Sequence, residues 1–363
     1  LITDFWTNKN RHFNYFTNVS RRVFKHAAYK FIEYRKVAYG ISVVVLILGI
    51  SSFFYGFREG VEFRGGRSYV VNFYKPVNEE AIRKDLSKIF SEEPVTKTYG
   101  SNSKLDITTD YKINEQGVAV DNLVKEKLFQ GLKSYLPPTA TLEEFNNTTK
   151  YVEGSKKVDP TISDDLTKGA YKAMFWSLLI ITLYIFVRFR DWRFSLGTII
   201  SLLHDVLVIL AVFAFLKNVV PFPLEIDQHF IAAILTVIGF SMNDTVIVFD
   251  RIRENGRLMK GATTGEIINK SINDTLSRTI MTSLTVFLTI LILFLVGGEV
   301  TKGFAFAMLI GVITGTYSSI FVAAPILVDF AKGKPLGEAD LQAHDEKKKV
   351  VVTTTPGKPK IKA

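Results

Sequence analysis

Asp244 is the residue whose position most needs explaining. With Asn243 it interrupts Phe230–Phe249, an apolar run that ends in the charged cluster Asp250, Arg251, Arg253 and Glu254. That run matches a bilayer crossing, which takes ~20 apolar residues. An ionised, unpaired carboxylate there costs at least ~2.5–3.5 kcal/mol. Asp244 is therefore tolerated if it faces protein, faces water or carries a proton, and each of these suggests work done in the membrane. If the helix ends near Arg251, Asp244 lies seven residues inside it, a depth of ~10 Å at ~1.5 Å per residue. The plainer alternative is a carboxylate that only caps or pairs to hold helices together. Gly239, Ser241, Asn243 and Thr245 around it are small or polar, which permits close helix contact and interhelical hydrogen bonds.

Arg278, in TLSRTIMTSLTVFLTI, is the candidate partner. Its run is antiparallel to that of Asp244 and joined to it on the same side, so a long guanidinium can cover the remaining depth. A permanently charged Arg holds a carboxylate ionised until the geometry changes. The alternative is an Arg that snorkels to lipid phosphates. His204 and Asp205 stand midway along another apolar run, SLLHDVLVIL. Adjacent helical residues point about 100° apart, so the two need not share a partner. They either extend a polar path to Asp244 or form a satisfied interhelical hydrogen bond. No metal site is expected, because ligand spacing such as HExxH is missing. Gly65-Gly66 permits a tight turn or bulge outside the first apolar run. It lacks the GxGxxG pattern, and no P-loop is present, so phosphate binding and ATPase chemistry are not expected.

These residues are placed by two kinds of segment. Of 363 residues, 47% are hydrophobic, and a mean hydropathy of +0.18 averages polar stretches with long apolar runs. The runs predict a polytopic α-helical membrane protein. Spans are expected at Val37–Tyr55, Ala170–Val187, Phe194–Leu216, Phe230–Phe249, Thr279–Val296 and Phe304–Phe330. The net charge is +10, with Lys and Arg beside the apolar runs, which points to the lipid bilayer rather than nucleic acid. With no cysteine there is no disulfide and no thiolate metal site.

Charge orients the spans. Residues 1–36, 188–193, 251–274 and 331–363 carry 24 Lys or Arg, whereas the loops 217–229 and 297–303 carry only Lys217 and Lys302. Both ends are therefore expected in the cytoplasm, and residues 58–168 outside the inner membrane. The organisation is a basic linker over 1–36, a first helix over 37–57, an α/β domain over 58–168, five helices over 169–330 and a basic disordered tail over 331–363. In the domain, Arg67–Tyr74 reads as a strand, and Asn78–Phe90 as a helix with Asn78 as N-cap. Val95–Tyr99 and Lys104–Thr109 read as paired strands around Gly100-Ser101-Asn102. Ala119–Tyr135 reads as a second helix stopped by Pro137-Pro138, and a last strand is expected between Thr139 and Lys157. The order β-α-β-β-α-β suits a ferredoxin-like unit. The chain starts at Leu1 and is expected to continue upstream. LITDFW is either the end of an earlier membrane helix or part of an amphipathic leader.

GVEFRGG, LLHD, IGFSMNDTVIVFDRIREN and LSRTIMTSLT together resemble the SecF family, partner of SecD in bacterial Sec protein export. The likeness covers all six expected spans, and LITDFW resembles the end of the last SecD helix. The chain is thus similar to the C-terminal half of a fused SecD–SecF polypeptide. The resemblance implies a resistance-nodulation-division-type bundle with a periplasmic domain, driven by the proton-motive force. No cofactor is implied beyond protons as the coupling ion, and no enzymatic activity. It also implies that Asp244 matches the proton-carrying Asp and Arg278 the membrane Arg. The implied partners are a SecD half, the SecYEG channel, exported unfolded polypeptide and YajC. Met242 departs from the family's usual Ile, and VDPTISDDLTKGA matches the usual approach to the second span only loosely. A proton-driven exporter of small molecules or lipids and a passive translocon scaffold are the rival readings.

Overall fold

The computed structural model describes residues 28–331 apart from 92, 93, 116, 148, 149, 221 and 223. LITDFW, most of the basic linker and all but the first residue of the tail lie outside the described residues. Six helices are long and apolar enough to cross a membrane: Arg35–Tyr55, Pro160–Phe189, Trp192–Leu216, Gln228–Leu258, Thr264–Val296 and Thr301–Ala331. They are called spans one to six below.

Several spans run past their apolar runs. Span two begins at Pro160 rather than Ala170, span four continues to Leu258, and span five begins at Thr264 rather than Thr279. A helix need not end at the membrane surface, and local chemistry sets these ends. Pro160 occupies the first turn of its helix, where a missing N–H costs nothing. Thr263 and Glu266 form a reciprocal capping box, with Thr263 N donating to Glu266 Oε2 at 2.8 Å. Asp227 caps span four by accepting from Phe230 N at 2.7 Å. The polar extensions of spans four and five are tied together. Arg251 pairs with Asp274 at 2.9 Å, and Asn255 Nδ2 donates to Ser271 Oγ at 3.0 Å. The stretch before span one docks here too, as Asn269 Nδ2 donates to Tyr29 O at 3.0 Å.

The α/β domain has strands β1 (Gly66–Asn72), β2 (Val95–Tyr99), β3 (Ser101–Thr109) and β4 (Val152–Val158), in sheet order β2-β3-β1-β4. Every pairing is antiparallel. With helices Glu79–Phe90 and Val118–Leu132 placed between strands, this is the ferredoxin-like split βαβ arrangement. Asn78 caps the first helix, accepting from Glu80 N at 3.0 Å and Ala81 N at 3.2 Å. A short helix, Leu142–Asn147, precedes β4. One sheet face is covered: Tyr69, Val71, Leu105 and Ile107 pack against Ile82, Leu86, Val124 and Leu128. The other carries Ser68, Lys97, Asp106 and Thr108, and it faces the membrane spans. Gly65 (φ 76°) and Gly66 (φ 128°) turn the chain from the short helix Val61–Arg64 into β1. A Cβ on Gly66 would lie 3.1 Å from Thr109 O, so the turn needs glycine for both conformation and space.

In the membrane region, apolar packing forms two clusters. Phe189, Phe194 and Phe249 anchor one at the basic end, and Phe213, Phe230 and Ile234 belong to the other, nearer the domain. A layer of polar side chains lies between them.

Candidate functional site

Three helix midpoints meet in this layer. Asp205 lies near the middle of span three, Asp244 near the middle of span four, and span six is interrupted by a π-turn at Ser319–Ala323. Single π-turns are rare within α-helices and recur at functional sites. Here the turn follows Gly315-Thr316-Tyr317-Ser318-Ser319, so four consecutive hydroxyl residues reach neighbouring helices.

Asp205 is fully buried and well satisfied. Its Oδ2 accepts from Ser241 Oγ at 2.6 Å and Ser318 Oγ at 2.8 Å. Its Oδ1 lies 3.4 Å from His204 Nδ1. The His204 ring stacks on Tyr317 with centroids 5.9 Å apart, and its Nε2 is buried without a hydrogen-bond partner. Ser201 Oγ donates to Ser318 Oγ at 2.9 Å. Thr245 and Ser319 share a hydroxyl–hydroxyl bond of 2.9 Å. Spans three, four and six are thus joined by polar contacts where lipid offers no alternative partner.

Asp244 differs. It is fully buried, but only Oδ2 is bonded, accepting from Ser283 Oγ of span five at 3.3 Å. Its Oδ1 is buried and has no hydrogen-bond partner. Ser283 also bonds Thr316 at 2.7 Å, which links Asp244 to span six. Thr279 Oγ1, on the same helix as Ser283, is likewise buried without a partner. The arrangement is a carboxylate held on one oxygen and open on the other. It can gain or lose a proton, or accept a new donor, without first breaking a network.

The structure brings together Asp244, Ser241 and Thr245 with His204 and Asp205, but two expected members stand apart. Arg278 is exposed, five residues before Ser283 on span five. It makes no direct ion pair with Asp244 among the described residues, but its guanidinium is near enough to attract the Asp244 carboxylate electrostatically. Asn243 is also exposed: with Asp244 turned inward, its neighbour about 100° away faces outward. Gly65 and Gly66 belong to the domain and take no part. Sequence reasoning missed Ser201, Ser283, Thr316, Ser318 and Ser319. The four adjacent hydroxyl residues in the sixth apolar run were the available signal.

Comparison with known proteins places the chain in a family. Residues 139–333 match the family model described as "Protein export membrane protein SecD/SecF, C-terminal". The protein translocase subunit SecF of Rhodothermus marinus is 41% identical over 310 residues, covering 85% of this chain and 95% of that protein. The chain belongs to the SecF family. The SecF subunit of Vibrio alginolyticus is 33% identical over 297 residues, covering 82% of this chain and 88% of that one. The crystal structure of SecDF from Thermus thermophilus, a translocon-associated membrane protein, superposes with a TM-score of 0.74 at 29% identity. The match covers 91% of this SecF-family chain and 41% of the SecDF chain, so the chain spans about two-fifths of that longer protein. This is a multi-pass membrane protein with a six-helix bundle and a small α/β domain.

Proposed function

We propose that this chain is the SecF-like half of a translocation motor, which works with a SecD half to spend the proton-motive force on protein export. The chain is not read as an enzyme. Its relatives' names, and the fused SecDF to which it is similar, support the partner assignment. The SecYEG channel, YajC and the exported polypeptide follow as partners of the assembled protein. The distribution of Lys and Arg supports an inner-membrane orientation with both ends cytoplasmic and the α/β domain periplasmic.

The half-bonded Asp244 carries the reading. A carboxylate at the middle of a span of 31 residues, with one oxygen open, is a site where protonation changes helix–helix affinity. Each charge crossing 100 mV supplies ~2.3 kcal/mol, enough to bias a two-state arrangement. Protonation of Asp244 removes the negative end of any interaction with Arg278, which lies on a face that this chain does not cover. Asp205, held by three partners, is read as a positioning residue that keeps spans three, four and six in register. An exporter of small apolar molecules needs an apolar chamber, and the cleft between the domain and the membrane spans carries Glu62, Lys97, Asp106, Lys156, Glu225 and Asp227 in its lining.

Precursor export into inverted membrane vesicles tests the proposal. Asp244→Asn in the full SecD–SecF assembly should insert normally and lose stimulation by a proton gradient. Gradient-stimulated export at the wild-type level would overturn it.

A further inference from the structure

Three consecutive residues of the loop before span four meet the α/β domain, its stem and span four in turn. Glu225 forms an ion pair with Lys97 of β2. Ile226 bonds the stem between span one and the domain: Ile226 N donates to Arg58 O at 2.8 Å, and Gly60 N to Ile226 O at 2.9 Å. Asp227 caps span four, the helix that carries Asp244. Sheet, stem and span four therefore converge on one tripeptide.

Lys97 is an unusual residue to find there. It lies on the open sheet face, directly opposite Asp106 in register, and its side chain is 4% exposed. Lysine is seldom buried without a partner. Glu225, 16% exposed, comes from the membrane region rather than the domain. Burial pulls the Lys97 ammonium below its usual range while Asp106 opposes that, so Lys97 depends on nearby carboxylates to keep its charge. The surrounding contact is not an apolar seal. A cleft of about 300 Å³ remains between sheet and loop, lined by Glu62, Asp106, Lys156 and Asp227 among others. Polar inter-domain contacts of this kind favour relative motion. A buried ion pair contributes little net binding, because both ions regain hydration when it opens.

We infer that Lys97 and Glu225 form a releasable latch that seats the domain on the loop between spans three and four, and that the transport cycle opens it. The inference rests on the motor reading above. It adds a specific point at which displacement of span four reaches the domain.

The chain has no cysteine, so Lys97→Cys/Glu225→Cys can be examined in a cysteine-free SecD–SecF assembly. A lysine–glutamate pair spans more than a direct disulfide tolerates, so a short bis-methanethiosulfonate reagent supplies a bridge that reduction removes. Energising the vesicles should slow bridging about five-fold or more, the scale of ordinary allosteric coupling. That slowing should vanish with Asp244→Asn. The bridge should abolish gradient-stimulated export, and reduction should restore it. Bridging that is indifferent to the gradient, or undiminished export from the bridged protein, would overturn the latch. The bridging rate needs only folded protein, so it decides even where the double variant exports poorly. Wild-type export by Asp244→Asn would instead remove the motor reading, whatever the bridging rate.

Discussion

Ser283 Oγ donates to Asp244 Oδ2 across 3.3 Å, and it is the one described hydrogen bond to a carboxylate whose other oxygen is buried and open. A hydrogen bond to a carboxylate contributes about 1.5–3 kcal/mol, which helps position Asp244 without fixing it. Ser283→Ala should therefore reduce gradient-stimulated export by about ten- to a hundred-fold. Asp244→Asn should eliminate the stimulation. Equal losses in a vesicle assay would mean that Ser283 is as indispensable as the carboxylate, contrary to the positioning role given to it.

Arg278 should separate stability from coupling. Its exposure in this chain means that Arg278→Ala removes no hydrogen bond or direct ion pair, only a longer-range attraction to Asp244, so stability in detergent should change by less than about 0.5 kcal/mol. Export by the assembled SecD–SecF protein should nevertheless fail. Arg278→Lys should rescue it poorly, because Lys lacks the planar fork. A large drop in the melting temperature of Arg278→Ala would assign the residue to folding instead.

Close packing of spans four and six gives a prediction of opposite kind. A Cβ on Gly315 would lie 3.0 Å from Ser241 Cβ and 3.2 Å from Ser241 Oγ, whereas one on Gly239 would meet nothing within 4 Å. Gly315→Val should cost about 1–3 kcal/mol by overpacking. Gly239→Val should stay within about 0.5 kcal/mol. Denaturant titration of the purified protein compares them, and indistinguishable midpoints would contradict the close approach.

What was legible in the sequence follows from what hydropathy encodes. Each apolar run marks a span, and the alternation in RSYVVNFY with the Asn78 cap marks strand and helix directly. The ends of spans two, four and five were not legible, because a helix continues in water once capped and polar turns carry no mark of membrane depth. The hydroxyl layer was hidden for a related reason. Thr316 and Ser319 bond carbonyls of the preceding turn at 2.9 Å each, so they disturb an apolar helix little. The antiparallel connection and shared depth expected a direct Asp244–Arg278 pair; the two charges act on each other without touching, because depth does not state which face a residue occupies.

Asp227 should give the docked structure a pH dependence. Burial, reinforced by Glu62, raises its pKa, while the bond from Phe230 N, His229 and Lys156 oppose the rise. The folded protein then binds this proton more readily than the unfolded chain. Its contribution is complete below the ordinary carboxyl value of about 3.9 and is lost as pH rises through the raised one. Asp227→Asn keeps a capping oxygen but cannot titrate. Relative to that variant, the wild-type protein should gain thermal stability between about pH 7 and about pH 4. Parallel melting curves across that range would show that Asp227 titrates normally.

The last prediction is that the α/β domain folds without the membrane. Its core is self-contained: Ile107, Val71 and Leu128 are fully buried among domain residues. Arg67 ties the loop after β3, with Nε on Asp121 at 2.9 Å and Nη1 on Tyr111 O at 3.0 Å. The sheet face that loses its seat is hydrophilic, carrying Ser68, Lys97, Asp106 and Thr108, so separation exposes groups that water can satisfy. Residues 58–159 expressed alone should unfold cooperatively, and Ile107→Ala should cost about 2–5 kcal/mol, as removal of a buried aliphatic side chain does. Lys97→Met should be tolerated in the isolated domain, where the ammonium has become hydrated and no longer needs Glu225. In the intact protein the same change should weaken docking, because it leaves Glu225 facing the cleft without its partner. Circular dichroism with urea titration of the fragment checks the first part. A fragment that stays unfolded in buffer would mean that the loop from span three to span four is part of the domain's fold, and that the domain cannot lift from its seat intact.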